Sequence, residues 1–300
     1  MTQPAPHVAT LIAGRAGSLD AAAVHRARAA LPGADEPRWL AEGTAADIPF
    51  SADPRADQRA IAEHVRGLFT GVDVVAQPAA HRRKRLFLAD MDSTMIEQEC
   101  IDELANYAGL KAHVAAITER AMRGEIAFEP ALRERVALLK GLPVKVVDDV
   151  IDKHITLTPG GRALVSTMRA NGAFTCLVSG GFTLFTRRIA AMIGFDETHA
   201  NSLAVDGDAL TGLVAEPIFG RDAKRATLLA LRQKLGLGKE DTMAIGDGAN
   251  DLDMIAEAGL GVAYHAKPKV AAAAAARVDH GDLTALLYVQ GYGRDEFVES

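Results

Sequence analysis

Three short apolar runs set the architecture of this chain. Arg85-Leu86-Phe87-Leu88-Ala89, Phe174–Val178 and Thr242–Ile245 each lead into polar or glycine-rich residues. Runs of this kind read as strands buried on both faces, the habit of parallel sheets. Helical patterns lie between them, at Phe182–Ile193, Ala223–Leu235 and Asn250–Ala258, with a last one near Leu283–Val289. A further strand is expected at Gly261–Tyr264, and a hairpin over Ala200–Val214 turning at Asp206-Gly207-Asp208. Strands alternating with helices predict an α/β fold: a doubly wound, Rossmann-like parallel sheet covered on both faces. The helical stretch from Glu97 to His154, punctuated at Gly109, Gly124 and Gly141-Leu142-Pro143, is too long for one covering layer. It predicts a separate helical cap, inserted after the first strand at about residues 97–156.

The first eighty residues follow another rhythm. His7–Ala13 and Val72–Ala76 read as strands, Pro37–Ala41 and Asp47–Ser51 as two weaker ones. Between them, Ser18–Leu31 carries Leu19, Ala23, Val24, Ala27 and Leu31 at helical spacing. A second helix, with Asp53 as its expected cap, presents Ile61, Val65, Leu68 and Phe69. The order βαββαβ predicts a ferredoxin-like α+β unit over residues 1–80. The basic cluster His81-Arg82-Arg83-Lys84-Arg85 then reads as a solvated linker rather than a nucleic-acid patch, opening a second domain over residues 81–300.

Composition narrows the function classes. With 300 residues, 49% hydrophobic and 24% charged, the chain can bury a sizeable core, which excludes disorder as the main state. Its apolar runs fall short of the roughly 18–20 residues of a membrane helix, and Met1 to Gly14 has no secretory-signal pattern. Two cysteines, Cys100 and Cys176, make no disulfide framework, and a net charge of −6 argues against coating nucleic acid. A cytoplasmic protein with no membrane or nucleic-acid partner is expected.

In an open α/β sheet the ligand lies beyond the carboxyl ends of the strands. The first apolar run delivers Asp90-Met91-Asp92-Ser93-Thr94, and residues two apart on an extended end can face one pocket. The third delivers Gly246-Asp247-Gly248-Ala249-Asn250-Asp251. Four carboxylates in one cleft must be relieved by protonation or by a cation, and hard oxygen donors suit Mg²⁺. Taken singly, Asp90 and Asp92 read equally well as helix caps. Ser179-Gly180-Gly181, placed at a helix start, offers a hydroxyl and backbone amides to an anion. Lys224 sits in the first turn of a helix, where the dipole disfavours a cation and another role must outweigh it. The parts together describe phosphoryl transfer, with one aspartate free to attack phosphorus.

The order DMDST, SGG, a lysine and GDGAND resembles the four motifs of the haloacid dehalogenase-like phosphatases. Over Arg85–Tyr288 the chain is similar to the members that hydrolyse phosphoserine, with EQECIDELA and FEPALRERVALLKGLP agreeing in the cap. The resemblance implies Asp90 as nucleophile and Asp92 as general acid/base. It implies Mg²⁺ held by Asp90, the main-chain carbonyl of Asp92, and Asp247, with Asp251 ordering the metal site. Ser179, Gly180, Lys224 and Asn250 would hold the phosphoryl group, with Gly181 in support. In the cap, Glu99 would face the substrate ammonium and Arg135 its carboxylate, while Met122 and Phe128 screen the ester from water. The implied reaction is Mg²⁺-dependent hydrolysis of O-phospho-L-serine, the last step of serine biosynthesis. Some relatives carry an amino-terminal ACT-like domain, which implies serine as a regulator and a homodimer through residues 1–80. Two alternatives stand beside this reading: transfer of phosphate to another amino-acid hydroxyl such as homoserine, and a non-catalytic amino-acid sensor.

Overall fold

The structure, a computed structural model, describes residues 7–53, 56–122 and 125–298, apart from the side chains of Ala121 and Met122. Its first unit runs β1 (His7–Ala13), α1 (Ala21–Ala29), β2 (Arg38–Ala41), β3 (Ala45–Phe50), α2 (Gln58–Arg66) and β4 (Val72–Pro78). The strands form an antiparallel sheet in the order β2-β3-β1-β4. Val24, Ala27 and Val65 from the helices pack with Leu11, Ile48, Phe50 and Val74 on one face. Asp20 caps α1, accepting from the Ala23 amide at 2.6 Å. The cap of α2 is Asp57, which accepts from the Ala60 amide at 3.1 Å, and not Asp53 as the spacing suggested.

The larger unit continues with β5 (Leu86–Ala89) and four cap helices: α3 (Cys100–Tyr107), α4 (Lys111–Met122), α5 (Phe128–Ala137) and α6 (Val146–His154). There follow α7 (Gly161–Ala170), β6 (Phe174–Phe182), α8 (Thr183–Ile193), β7 (Glu197–Asn201) and the hairpin β8 (Leu203–Asp206) to β9 (Ala209–Val214). The chain closes with α9 (Arg221–Lys234), β10 (Thr242–Gly246), α10 (Leu252–Glu257), β11 (Leu260–Tyr264), α11 (Pro268–Ala273), β12 (Ala276–Val278) and α12 (Ala285–Val289). Six strands pair in parallel in the order β12-β11-β10-β5-β6-β7. The chain starts in the middle at β5 and is wound outward to both sides. The crevice of such a sheet lies where the winding reverses, at the carboxyl ends of β5, β6 and β10. Where the cap enters and leaves, Ile96 bridges Leu157, and the Glu97 amide donates to Thr156 O at 3.0 Å. The cap is tied a second time at the β8–β9 hairpin, where the Gly141 and Val144 amides donate to Leu210 O and Asp208 O, both at 2.8 Å, and Pro143 bridges Ala209.

Two expectations need correction. The strand expected to end at Val178 runs on as β6 through Ser179-Gly180-Gly181 to Phe182, with a register shift against β7 between Val178 and Phe182, and α8 begins directly after it, capped by Phe182. The cluster at 81–85 is not a solvated linker. Arg82 forms a two-pronged pair with Asp47 of β3 at 2.8 and 2.9 Å, and Lys84, 7% exposed, donates to Glu240 O at 2.8 Å. Arg83 stacks 4.0 Å from the Tyr292 ring centre. The buried Asp73 of β4 accepts the amides of Asp279, His280 and Gly281 at 2.8, 3.1 and 2.8 Å. Arg82 with Asp47, and Asp73 with residues 279–281, thus weld the two units together, while Arg83 and Lys84 pack within the larger one. Among the described residues no helix is long and apolar enough to cross a membrane.

Candidate active site

Strand β5 delivers Asp90 to the crevice, with its amide bonded to Ile245 O of the neighbouring β10 at 3.0 Å. Immediately after it the chain turns back on itself: the amides of Met95 and Ile96 both donate to Met91 O, at 2.9 and 3.0 Å. Ser93 within this turn takes the left-handed conformation, φ 54°. The turn aims Asp92 at two partners. Its Oδ1 accepts the first amide of α3, Cys100 N–H, at 2.8 Å, and its Oδ2 accepts the Ser179 hydroxyl at 3.0 Å. The helix-cap reading of Asp92 is therefore half realised, with the second oxygen turned to the cleft.

Lys224 is fully buried in the first turn of α9, where the dipole opposes its charge. Its ammonium donates to Asp90 and, at 2.6 Å, to Asp251 Oδ1. Asp90, Asp247 and Asp251 each bring a carboxylate oxygen within 4.8 Å of the others. Lys224 pairs with Asp90 and Asp251, while Asp247 has only the more exposed Lys267, 3.9 Å from its Oδ2. Burial, and then Asp251, holds Asp90 well above the usual carboxylate range, Lys224 opposing only in part. Asp247 is pushed up to about 6, again by burial first and then by Asp251. Burial works against the charge on Lys224, but Asp251 and Asp90 outweigh it and keep the ammonium protonated. Such a trio of hard oxygen donors fits a divalent cation of the Mg²⁺ kind, because a cation would remove the repulsion that burial amplifies.

Asp90, Asp92 and Asp247 floor a cavity of about 490 Å³ roofed by the cap. Glu99 and Arg135 both line it, together with Phe128, Gly180, Gly181 and Asn250. Glu99 stands at the N-cap position of α3 yet caps nothing; its Oε1 accepts the Ser93 hydroxyl at 2.8 Å. Enclosure by the cleft walls, and then the charge of Asp92, pushes Glu99 up to about 7. Arg135 on α5 is lowered from its ordinary value by burial, with Asp102 and Glu99 opposing, and its Nε donates to Ala131 O at 3.3 Å. The Phe128 ring lies close over two glycines: a Cβ at Gly180 or at Gly220 would stand 3.4 Å from it. At Gly181 a Cβ would meet Ser179 Oγ at 3.0 Å and Asp92 Oδ2 at 3.1 Å, so only glycine lets the strand end approach. Met122 ends α4, and its side chain lies outside the described residues.

One group at the site escaped the motif reading. Asn201, 2% exposed at the end of β7, donates to Gly180 O at 2.9 Å and Phe219 O at 3.0 Å. Its sole sequence mark is an amide residue near the start of the expected hairpin.

A carboxylate trio and a buried lysine at the switch point of a doubly wound sheet, under a helical cap, suit a capped phosphoryl-transfer enzyme of Rossmann-like fold. Residues 87–256 match the haloacid dehalogenase-like hydrolases. The chain belongs to this family. A curated relative from Polaromonas sp., named phosphoserine phosphatase, is 47% identical over 208 residues, covering 68% of this chain and 88% of its own. Among solved structures, a haloacid dehalogenase-family hydrolase from Salmonella enterica is 28% identical with a TM-score of 0.84, covering 97% of this chain and 99% of its own. A probable phosphoserine phosphatase from Vibrio cholerae is 31% identical with a TM-score of 0.75, covering 97% and 88%.

Proposed function

We propose that the chain is a phosphoserine phosphatase, hydrolysing O-phospho-L-serine to L-serine and phosphate through an aspartyl-phosphate on Asp90. One observation carries the substrate class: Glu99 and Arg135, a carboxylate and a guanidinium, share one cavity with Asp90, whose carboxylate accepts from the buried Lys224 ammonium. A zwitterionic head with a phosphate ester on its side chain needs that set of charges. A curated relative named phosphoserine phosphatase, 47% identical, and one named probable phosphoserine phosphatase, 46% identical, support the same substrate.

An oxygen of Asp90 attacks phosphorus, and the P–O bond to serine breaks. Asp92, steadied by Cys100 N–H and the Ser179 hydroxyl, gives its proton to the departing alkoxide. It then takes a proton from the water that attacks the same phosphorus, releasing phosphate and restoring Asp90. Lys224, Ser179, Gly180 and Asn250 hold the phosphoryl oxygens, with Gly181 allowing the close approach. Asp90, Asp247 and the Asp92 carbonyl, ordered by Asp251, would hold Mg²⁺, which would supply charge neutralisation at the transferring group. Phe128 and Met122 exclude bulk water while the cap is closed.

The same reading divides the chain at residue 80 into an ACT-like domain and the phosphatase, with the cap at about 97–156. Residues 1–80 serve as a serine-sensing and dimerising unit, a role supported by the βαββαβ order and by Trp39, 36% exposed on edge strand β2. A cytoplasmic setting is supported by Cys100 and Cys176, both buried free thiols.

The test is phosphate release from O-phospho-L-serine, O-phosphothreonine and an aryl phosphate, with Mg²⁺ and with a chelator. Chelator-sensitive preference for phosphoserine is expected. Equal turnover of all three would remove the substrate assignment and leave a general phosphatase.

A further inference from the structure

We infer that Asn201 is a positioning residue for phosphoryl binding, clamping the strand end that carries Gly180 to the segment that leads into Lys224. The inference rests on the phosphoryl-site reading above and adds a residue to it.

Its side-chain amide spends two donors and an acceptor on two separate elements. Nδ2 donates to Gly180 O at 2.9 Å and to Phe219 O at 3.0 Å, while Oδ1 accepts the Phe219 amide at 2.6 Å. The Gly180 carbonyl belongs to the peptide whose N–H, on Gly181, donates to Ser179 Oγ at 2.8 Å. That peptide plane is thus held at both ends, by Asn201 and by Ser179, and Ser179 in turn holds Asp92. The clamp is needed because two successive glycines are the least restrained backbone available, and because β6 breaks register with β7 between Val178 and Phe182. On the other side, Phe219 precedes Gly220, whose carbonyl accepts the Lys224 amide at 3.1 Å as α9 begins. One buried amide therefore sets the spacing between the glycine end of the anion site and its ammonium. Misplacing either by about 1 Å costs on the order of a hundredfold in rate.

Asn201→Asp keeps the shape but turns two donors into acceptors facing carbonyls; Asn201→Ser keeps a single donor and guards against loss of folding. Three readouts are taken on each: calorimetric binding of inorganic phosphate, kcat and KM for phosphoserine and for an aryl phosphate, and the melting temperature. The expected result is weaker phosphate binding and kcat lowered on the order of a hundredfold for both substrates alike. The ratio of the two substrates stays unchanged, and the serine variant falls between. Unchanged phosphate binding and kcat, with only a lower melting temperature, would overturn the inference. So would a loss confined to phosphoserine. Failure of the wild-type chain to release phosphate would instead strike the underlying reading, which separates the two.

Discussion

The ammonium of Lys224 lies 2.6 Å from Asp251 Oδ1 and also donates to Asp90, and neither Lys224 nor Asp251 exposes any surface. Breaking a buried ion pair by removing one partner costs about 3–5 kcal/mol, since a charge is left without compensation. Lys224→Met is therefore expected to lose both turnover and stability. The stability loss should be largest in chelator and smaller with Mg²⁺, which offsets part of the missing charge. Denaturant unfolding with and without Mg²⁺ checks this; a variant as stable as wild type in chelator would contradict the pairing.

Glu99 predicts a pH dependence of selectivity. An acid raised to about 7 is neutral below that pH, and a neutral carboxyl cannot pair with an ammonium. The ratio of kcat/KM for phosphoserine over an aryl phosphate should fall as pH drops below 7, approaching about tenfold per unit. Glu99→Gln should lower the ratio and make it flat across pH 5.5–8.5, an order-of-magnitude window about that pKa. A ratio in wild type that ignores pH would remove Glu99 from ammonium recognition.

Arg135 sits in the same cavity, half enclosed by α5 and its neighbours. A guanidinium grips a carboxylate with two parallel donors, which an ammonium cannot copy. Arg135→Lys should raise KM for phosphoserine roughly 10-fold to 100-fold, the equivalent of one good charged hydrogen bond. Steady-state kinetics with the aryl phosphate should be unaffected. Equal damage to both substrates would mean that Arg135 supports the cap and does not read the substrate.

How much of this was legible in the sequence differs between the two sheets. The buried parallel strands announced themselves because apolar runs end abruptly in polar or glycine-rich residues, and those same ends carry Asp90, Ser179 and Asp247. Asp251 and Lys224 were found through their motifs, although only the fold shows one salt-bridging the other. The weld between the sheets was hidden. Asp73 lies in a strand whose neighbours are apolar, and its three amide partners come from residues 279–281, about two hundred positions away. Arg82 and Lys84 look like surface charge because their partners, Asp47 and Glu240, are 35 and 156 positions away. Asn201 gave no signal for a related reason: its contacts are all to backbone, which every residue has.

The weld carries its own prediction. Replacing a buried carboxylate that accepts three backbone amides strands those donors, at about 1–3 kcal/mol each. Asp73→Ala should lower unfolding stability by at least about 3 kcal/mol. Asp47→Asn, which keeps a hydrogen-bonding oxygen for Arg82, should cost less. Chemical denaturation of the two variants decides it, and an Asp73→Ala chain as stable as wild type would mean that the two units are joined by something other than these charges.

The central claim is that phosphorus passes through Asp90. The direct measurement is to mix the chain with phosphoserine and Mg²⁺, quench in acid within a turnover, and read the peptide containing Asp90 by mass spectrometry. A phosphoryl group on that residue, absent from Asp90→Asn, which itself turns over negligibly, is the predicted result. Near-wild-type phosphate release by Asp90→Asn, or no trapped group in a chain that is turning over, would contradict the account.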